Sequence, residues 1–346
     1  MNGQNAKRSE DITDEMWEQV NPFNRQMVEE YLTNQTHLAQ KSLVVYSSAL
    51  RIYFWWVKEN LNNKNCTEIK KKEFMRYLNW LTNRGMSTYA IKFKKSSVSA
   101  FNKFIESFYE EEYPTFRNYV TSEMLVVETG EVREKVPLTP EEYENLCDEL
   151  RNREEWQKLA YLMFSYSTGC RRAEAQQLLK EAVNYKPKRK MVTVIDKDGS
   201  ERQIEAVTYK THDIRCKGRS KIGKVRKLQF GTDVMDVLKK WLEVRGEDDC
   251  PYMFVTKTKN KQTGEYAVHQ VSDGTFNDWC KGLFTNIVGR RVHPHLFRES
   301  RATNIVVYEH KSLETAQKLL GHQDPTTTAK HYVIREDEDD ADDAFV

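Results

Sequence analysis

His293-Pro294-His295-Leu296-Phe297-Arg298 is followed by Leu319-Leu320-Gly321-His322 and, ten residues later, by Tyr332. Far upstream stands Ser167-Thr168-Gly169-Cys170-Arg171-Arg172-Ala173-Glu174. Each fragment alone is weak. A lone Arg298 reads as a surface ion pair, His295 and His322 as helix caps, and Tyr332 as an ordinary aromatic. Their order and spacing point to one phosphate site. Arginine forks grip non-bridging oxygens in pairs, imidazoles donate to the same oxygens or move protons, and a phenol can serve as covalent nucleophile. Two arginines, two histidines and a tyrosine thus suffice to attack a phosphodiester. No cofactor and no metal is expected.

Working outward, the 346 residues are enough for two domains with separate cores. No apolar run approaches the ~18 residues of a membrane span, and the first eight residues lack the apolar core of a signal peptide. The expected location is the cytoplasm, at the nucleoid. The six cysteines are scattered, with no CxxC pair, and read as free thiols rather than disulfides or a zinc site. Residues 336–346 hold seven acids and no base, so residues 1–335 carry the chain's net +2 with those seven charges removed, or +9. A basic body with an acidic tail favours a nucleic-acid partner over a membrane.

Residues 1–20 are polar and are expected to fray. From 21 to 113 the apolar residues keep helical period: Leu43, Tyr46, Leu50, Tyr53 and Val57; Phe74, Tyr77, Leu78 and Leu81; Val98, Phe101, Ile105 and Phe108. Ser87 and Gly85 supply an N-cap and a helix stop. This predicts about four helices with their own core. The run Tyr53-Phe54-Trp55-Trp56 falls within that period and belongs to the core. Residues 114–136 lose the period and read as a linker. Thr139-Pro140-Glu141-Glu142 opens a new helix, and helices continue to about Leu179. Met191 to Ile195, Ile204 to Tyr209 and Val225 to Phe230 predict a small antiparallel sheet, with a turn at Asp198-Gly199. Helices resume near Thr232, Ser272, Pro294, Leu313 and Thr326. The fold class is mainly α with a small antiparallel β-sheet in the C-terminal domain.

With these fragments in this order, the chain resembles the tyrosine recombinases of the phage integrase family. The likeness covers residues 137–335 as a mixed α+β catalytic domain, and the helical domain before it resembles a core-binding domain that grips DNA. The resemblance implies a catalytic set of Arg171, Lys217, His295, Arg298, His322 and Tyr332. Arg171 follows Thr-Gly-x, His295 and Arg298 form His-x-x-Arg, and His322 ends Leu-Gly-His. Lys217 lies in Ile214-Arg215-Cys216-Lys217-Gly218, which resembles the family's lysine-bearing hairpin. Lys221 and Lys224 are rivals for that role. Glu174 occupies the place of an acid that braces the site.

Glu299 stands where the family often has histidine, a position outside the usual catalytic set. Family members often pass a C-terminal helix to a neighbouring subunit; the corresponding segment here is residues 333–346, mostly acidic.

The implied activity is site-specific cleavage and rejoining of double-stranded DNA through a 3′-phosphotyrosyl intermediate. A homotetramer would act on two DNA sites, and an accessory DNA-bending or directionality protein is compatible with that. Lys92, Lys94, Lys95 and Lys103, on the fourth predicted helix, are the expected DNA contacts in the first domain. Two other readings stay open: a DNA-binding regulator on this fold that no longer recombines, and a type IB topoisomerase.

Overall fold

The computed structural model describes residues 11–124, 136–195, 200–216, 224–259, 264–272 and 274–321. The described chain forms two compact units, residues 11–124 and residues 136–321.

The first unit contains α1 (Asp14–Glu18), α2 (Pro22–Asn34), α3 (Gln40–Asn60), α4 (Lys71–Asn83) and α5 (Thr88–Phe108). Local chemistry sets the ends. Gly85, at φ +71°, stops α4, and the Ser87 hydroxyl accepts from the Ala90 N–H at 3.4 Å to start α5. Ile91, Val98, Phe101 and Ile105 form the inward stripe of α5 and are fully buried. They meet Tyr53, Phe54 and Trp56 of α3, which are core residues as their period predicts. Edge-to-face pairs such as Phe54–Phe101 (5.5 Å) and Tyr31–Phe101 (5.8 Å) add about 0.5–1.5 kcal/mol each beyond area burial.

Two expectations change here. The stretch expected to fray supplies α1, capped by Thr13, and the buried Val20. The first half of the expected linker is core: Phe116, Tyr119, Val120 and Met124 are buried, and the Tyr119 and Tyr53 hydroxyls hydrogen-bond at 2.9 Å. This segment packs without helical repeat, so it shows no period to read.

The second unit runs α6 (Pro140–Asn152), α7 (Trp156–Thr168), α8 (Arg172–Ala175), β1 (Lys188–Ile195), β2 (Glu201–Lys210), β3 (Ile214–Cys216), β4 (Lys224–Arg226), β5 (Gln229–Gly231) and α9 (Thr232–Arg245). It continues with β6 (Val255–Lys259), β7 (Tyr266–Gln270), α10 (Thr275–Trp279), a π-helical segment (Cys280–Phe284), α11 (Thr285–Val288), α12 (Pro294–Val307) and α13 (Leu313–Leu320). An antiparallel sheet forms as predicted, ordered β1-β2-β5, with Lys190 opposite Ala206 and Tyr209 opposite Phe230, but the expected third strand, Val225 to Phe230, is divided between β4 and β5. β3 and β4 form a separate hairpin with Ile214 opposite Arg226. The β6–β7 hairpin was not expected; both strands are largely exposed, and β6 is mostly Lys and Thr, so the pair shows no continuous apolar face to read. The Asp198-Gly199 turn and the helix near Thr326 lie outside the described residues.

α7 is buried on nearly every side, with Leu159 to Phe164 all in the core. It anchors the unit, and its C-terminal end delivers the Thr-Gly-Cys-Arg turn. α6 starts at Thr139 as expected, and there a capping box closes: Glu142 N–H donates to the Thr139 hydroxyl at 3.1 Å, and Thr139 N–H to the Glu142 carboxylate at 3.0 Å. All six cysteines are free, and five are buried. No described helix is long and apolar enough to cross a membrane.

Candidate active site

Four pieces of the second unit converge: the turn at 169–174, strand β4, the first turns of α12, and the end of α13. Their meeting depends on two glycines in the left-handed region. α7 terminates at Gly169 (φ +57°), where a Cβ would stand 2.7 Å from Leu320 Cδ2. α13 terminates at Gly321 (φ +67°), where a Cβ would stand 2.7 Å from Arg226 Nη1. Conformation and close approach both call for glycine at these helix ends.

Arg171 is the N-cap residue of α8. Its main-chain N–H donates to Glu174 Oε2 at 3.1 Å and its Nη1 to Glu174 Oε1 at 3.1 Å. The Arg171 side chain is 32 % exposed, so the guanidinium keeps donors accessible to an incoming anion. Glu174 is almost wholly buried and also accepts from Arg226 Nη2 at 2.8 Å. Burial pushes the Glu174 carboxyl up, but Arg226 and Arg171 outweigh it and hold the group below its ordinary value. Glu174 therefore stays ionised and fixes the Arg171 turn.

Arg298 lies on the inner face of α12 with no exposed surface. Its Nη1 donates to the Gly169 carbonyl and its Nη2 to the Leu320 carbonyl at 2.8 Å. One guanidinium thus clamps the end of α7, two residues before Arg171, to the end of α13, two residues before His322. His295 sits in the first turn of α12, with its side chain 45 % exposed and Nε2 3.9 Å from Glu299 Oε1. The cap of α12 is His293, whose Nδ1 accepts from Leu296 N–H at 3.1 Å, which leaves His295 out of the capping role. Glu299 is buried one turn below His295.

Arg171, Glu174, His295 and Arg298 are all described. Lys217, its rival Lys221, His322 and Tyr332 lie outside the described residues. The other rival, Lys224, opens β4 opposite Cys216 and is exposed. Arg226 was missed in the sequence. It stands in a basic run, Lys224-Val225-Arg226-Lys227, where nothing distinguishes a mostly covered arginine from its exposed neighbours.

Of the four lysines expected to meet DNA, Lys92 and Lys103 are exposed, and Lys95 is half-buried and donates to the Met124 carbonyl. These three line an open groove of about 780 Å³ with Ser96, Ser99 and Thr121. Lys94 is a correction. It falls on the stripe of Ile91, Val98 and Phe101, faces the interior, and burial pulls its ammonium below the ordinary value.

The phage integrase family model matches residues 137–339, and the N-terminal SAM-like domain of phage integrases matches residues 28–107. The chain is 32 % identical over 340 residues to the SPbeta prophage-derived recombinase-like protein YomM of Bacillus subtilis (strain 168), covering 97 % of this chain and 95 % of that one. It is 28 % identical over 127 residues to the tyrosine recombinase XerC of Shewanella sp. (strain ANA-3), covering 36 % of this chain and 39 % of that one. Among solved structures, the Tn1549 transposon integrase in complex with transposon right end DNA superposes with a TM-score of 0.61 at 15 % identity, covering 93 % of this chain and 98 % of that one. A lambda integrase tetramer bound to a Holliday junction superposes with a TM-score of 0.57 at 18 % identity, covering 90 % and 78 %. The family model spans more than half of the chain, and the Bacillus relative nearly all of it: the chain belongs to the phage integrase family, the tyrosine recombinases.

Proposed function

We propose that this protein is a site-specific DNA recombinase that cleaves and rejoins duplex DNA through a 3′-phosphotyrosyl intermediate. The observation that carries the reading is the double grip of Arg298 on the Gly169 and Leu320 carbonyls, which brings the Arg171 turn and the approach to His322 to one place.

In this reading the Tyr332 oxygen attacks phosphorus and the bond to the 5′-oxygen breaks. Lys217 gives the leaving oxygen its proton. Arg171, His295 and His322 stabilise the extra negative charge of the pentacovalent state, and we assign Arg298 to the same charge, which requires its guanidinium, without exposed surface here, to be uncovered when DNA binds. A free tyrosine has a pKa of about 10, so the same cations must also favour its phenolate. The phosphotyrosyl bond conserves the energy of the broken phosphodiester. Attack by a new 5′-hydroxyl then reverses the step without ATP.

We assign the first unit, residues 11–124, to DNA gripping, with Lys92, Lys95 and Lys103 on phosphates, residues 137–335 to catalysis, and residues 336–346 to an acidic tail. The working form is a homotetramer on two DNA sites at the nucleoid, in the cytoplasm. A lambda integrase tetramer is seen bound to a Holliday junction, which supports a tetramer here by analogy.

The test is incubation with a nicked suicide duplex carrying the cognate site, followed by a denaturing gel. A covalent protein–DNA band is the expected result. Tight, site-specific binding without any such band would favour the regulator reading.

A further inference from the structure

Arg226 has no role in the site as the sequence presents it, yet separate parts of the site end on its guanidinium. It closes strand β4, and its side chain is 15 % exposed. Nη2 donates to Glu174 Oε2 at 2.8 Å, and Nη1 donates to the Leu319 carbonyl at 2.9 Å. The same Glu174 carboxylate holds both the main chain and the side chain of Arg171. Leu319 lies in the last turn of α13, and Gly321 just beyond it lies against the Arg226 guanidinium, so that an added Cβ would make that side chain shift. The guanidinium therefore lies between the turn that carries Arg171 and the helix end that leads into His322. Its own hairpin flanks residues 217–223, which contain the candidate lysine.

We propose that Arg226 is a positioning residue for strand cleavage, fixing the Arg171 turn against the end of α13 through a two-pronged grip. The inference rests on the recombinase reading above. Arg226 meets no reacting atom and acts through Glu174 and Leu319. A fork is required because the two acceptors belong to different elements; lysine offers one compact ammonium and reaches one of them. Both partners are buried enough for salt to screen the pair little. Burial pushes the Arg226 guanidinium down, and Glu174 overrides it, so the charged form persists.

The experiment compares the unsubstituted chain with R226K and R226A. Three quantities are read: single-turnover adduct formation on a suicide duplex at saturating protein, Kd for the same duplex, and thermal unfolding. R226K is expected to bind DNA within about twofold of the parent while forming adduct about ten- to a hundredfold more slowly, the effect of a misplaced catalytic group. R226A is expected to be slower still and to be partly restored by guanidinium ion added at low concentration, which refills the fork. A structural role alone would lower stability and DNA binding together and leave the rate per bound molecule unchanged. An R226K rate equal to the parent's overturns the inference and leaves the recombinase reading intact. So does failure of both variants to give folded, DNA-binding protein, which would make Arg226 a scaffold residue. Absence of adduct from the unsubstituted chain removes the recombinase reading, and this inference with it.

Discussion

Arg298 and Gly169 are joined by a hydrogen bond across 129 positions of sequence, from guanidinium Nη1 to the main-chain carbonyl. The same guanidinium reaches Leu320 through Nη2, so a charged side chain with no exposed surface does structural work at the ends of two helices. Removing it leaves two buried carbonyls without that donor. R298A is expected to lose about 2–5 kcal/mol of stability, the cost of breaking a buried charge-assisted network. Urea unfolding measures this. A loss below about 0.5 kcal/mol, the range of an ordinary surface substitution, would contradict the clamp.

The two helix-ending glycines give a graded comparison. Gly85 has φ +71° and open space around it, so G85A should cost only the backbone penalty of about 1–2 kcal/mol. Gly169 has a similar φ and a Leu320 methyl 2.7 Å from the would-be Cβ. G169A should therefore cost more than G85A in thermal unfolding, and it should also slow adduct formation, because Arg171 is two residues away. Equal costs and an unchanged rate would mean that the contact with Leu320 relaxes freely.

Glu174 carries a pH signature. Burial works to raise its carboxyl, and Arg226 and Arg171 lower it below the ordinary value. A depressed folded-state value means that the stabilisation is complete above the unfolded-state pKa of about 4.3 and is lost as pH falls through the folded-state value. E174Q, which cannot ionise, should be less stable than the parent near neutral pH, and the gap should narrow as the solution is acidified below the unfolded-state value. Unfolding free energies across an acid series test this. A gap that stays constant with pH would remove the ion pair from the account.

On α5, charge alone is a poor guide to which lysine meets DNA. K92A and K103A should each weaken binding to random duplex and reduce the salt slope by about one, as expected for a phosphate contact. K94M should leave both unchanged and raise stability, because it removes a buried ammonium. Salt titrations of the three variants separate these outcomes. A K94M slope that drops like the others would place Lys94 on the DNA face.

The helical first domain was legible because its core repeats: Ile91, Val98, Phe101 and Ile105 carry the period, and Ser87 marks the start. The same period also placed Lys94 inside, a conclusion that its charge obscured. Thr139-Pro140-Glu141-Glu142 announced α6 because helix-start signals are local. Phe116 and Tyr119 were unreadable as core because their partners, Tyr53 among them, lie far off in sequence. Arg171, Glu174, His295 and Arg298 were proposed from motif order and the family resemblance, and the fold brings Arg298 to the turn that carries Arg171 and Glu174. Arg226 was not, because its meeting with Glu174 and Leu319 is created by the fold, and no neighbouring residue signals it.

The central claim is that Tyr332 attacks DNA from a site assembled around Arg171 and Arg298. The most direct measurement is the covalent adduct formed on a suicide duplex by the parent and by Y332F, with the adducted peptide sequenced by mass spectrometry. The account predicts an adduct on Tyr332 in the parent and none in Y332F, with DNA binding retained. An adduct that persists in Y332F, or one that maps to another residue such as Tyr308, would contradict it.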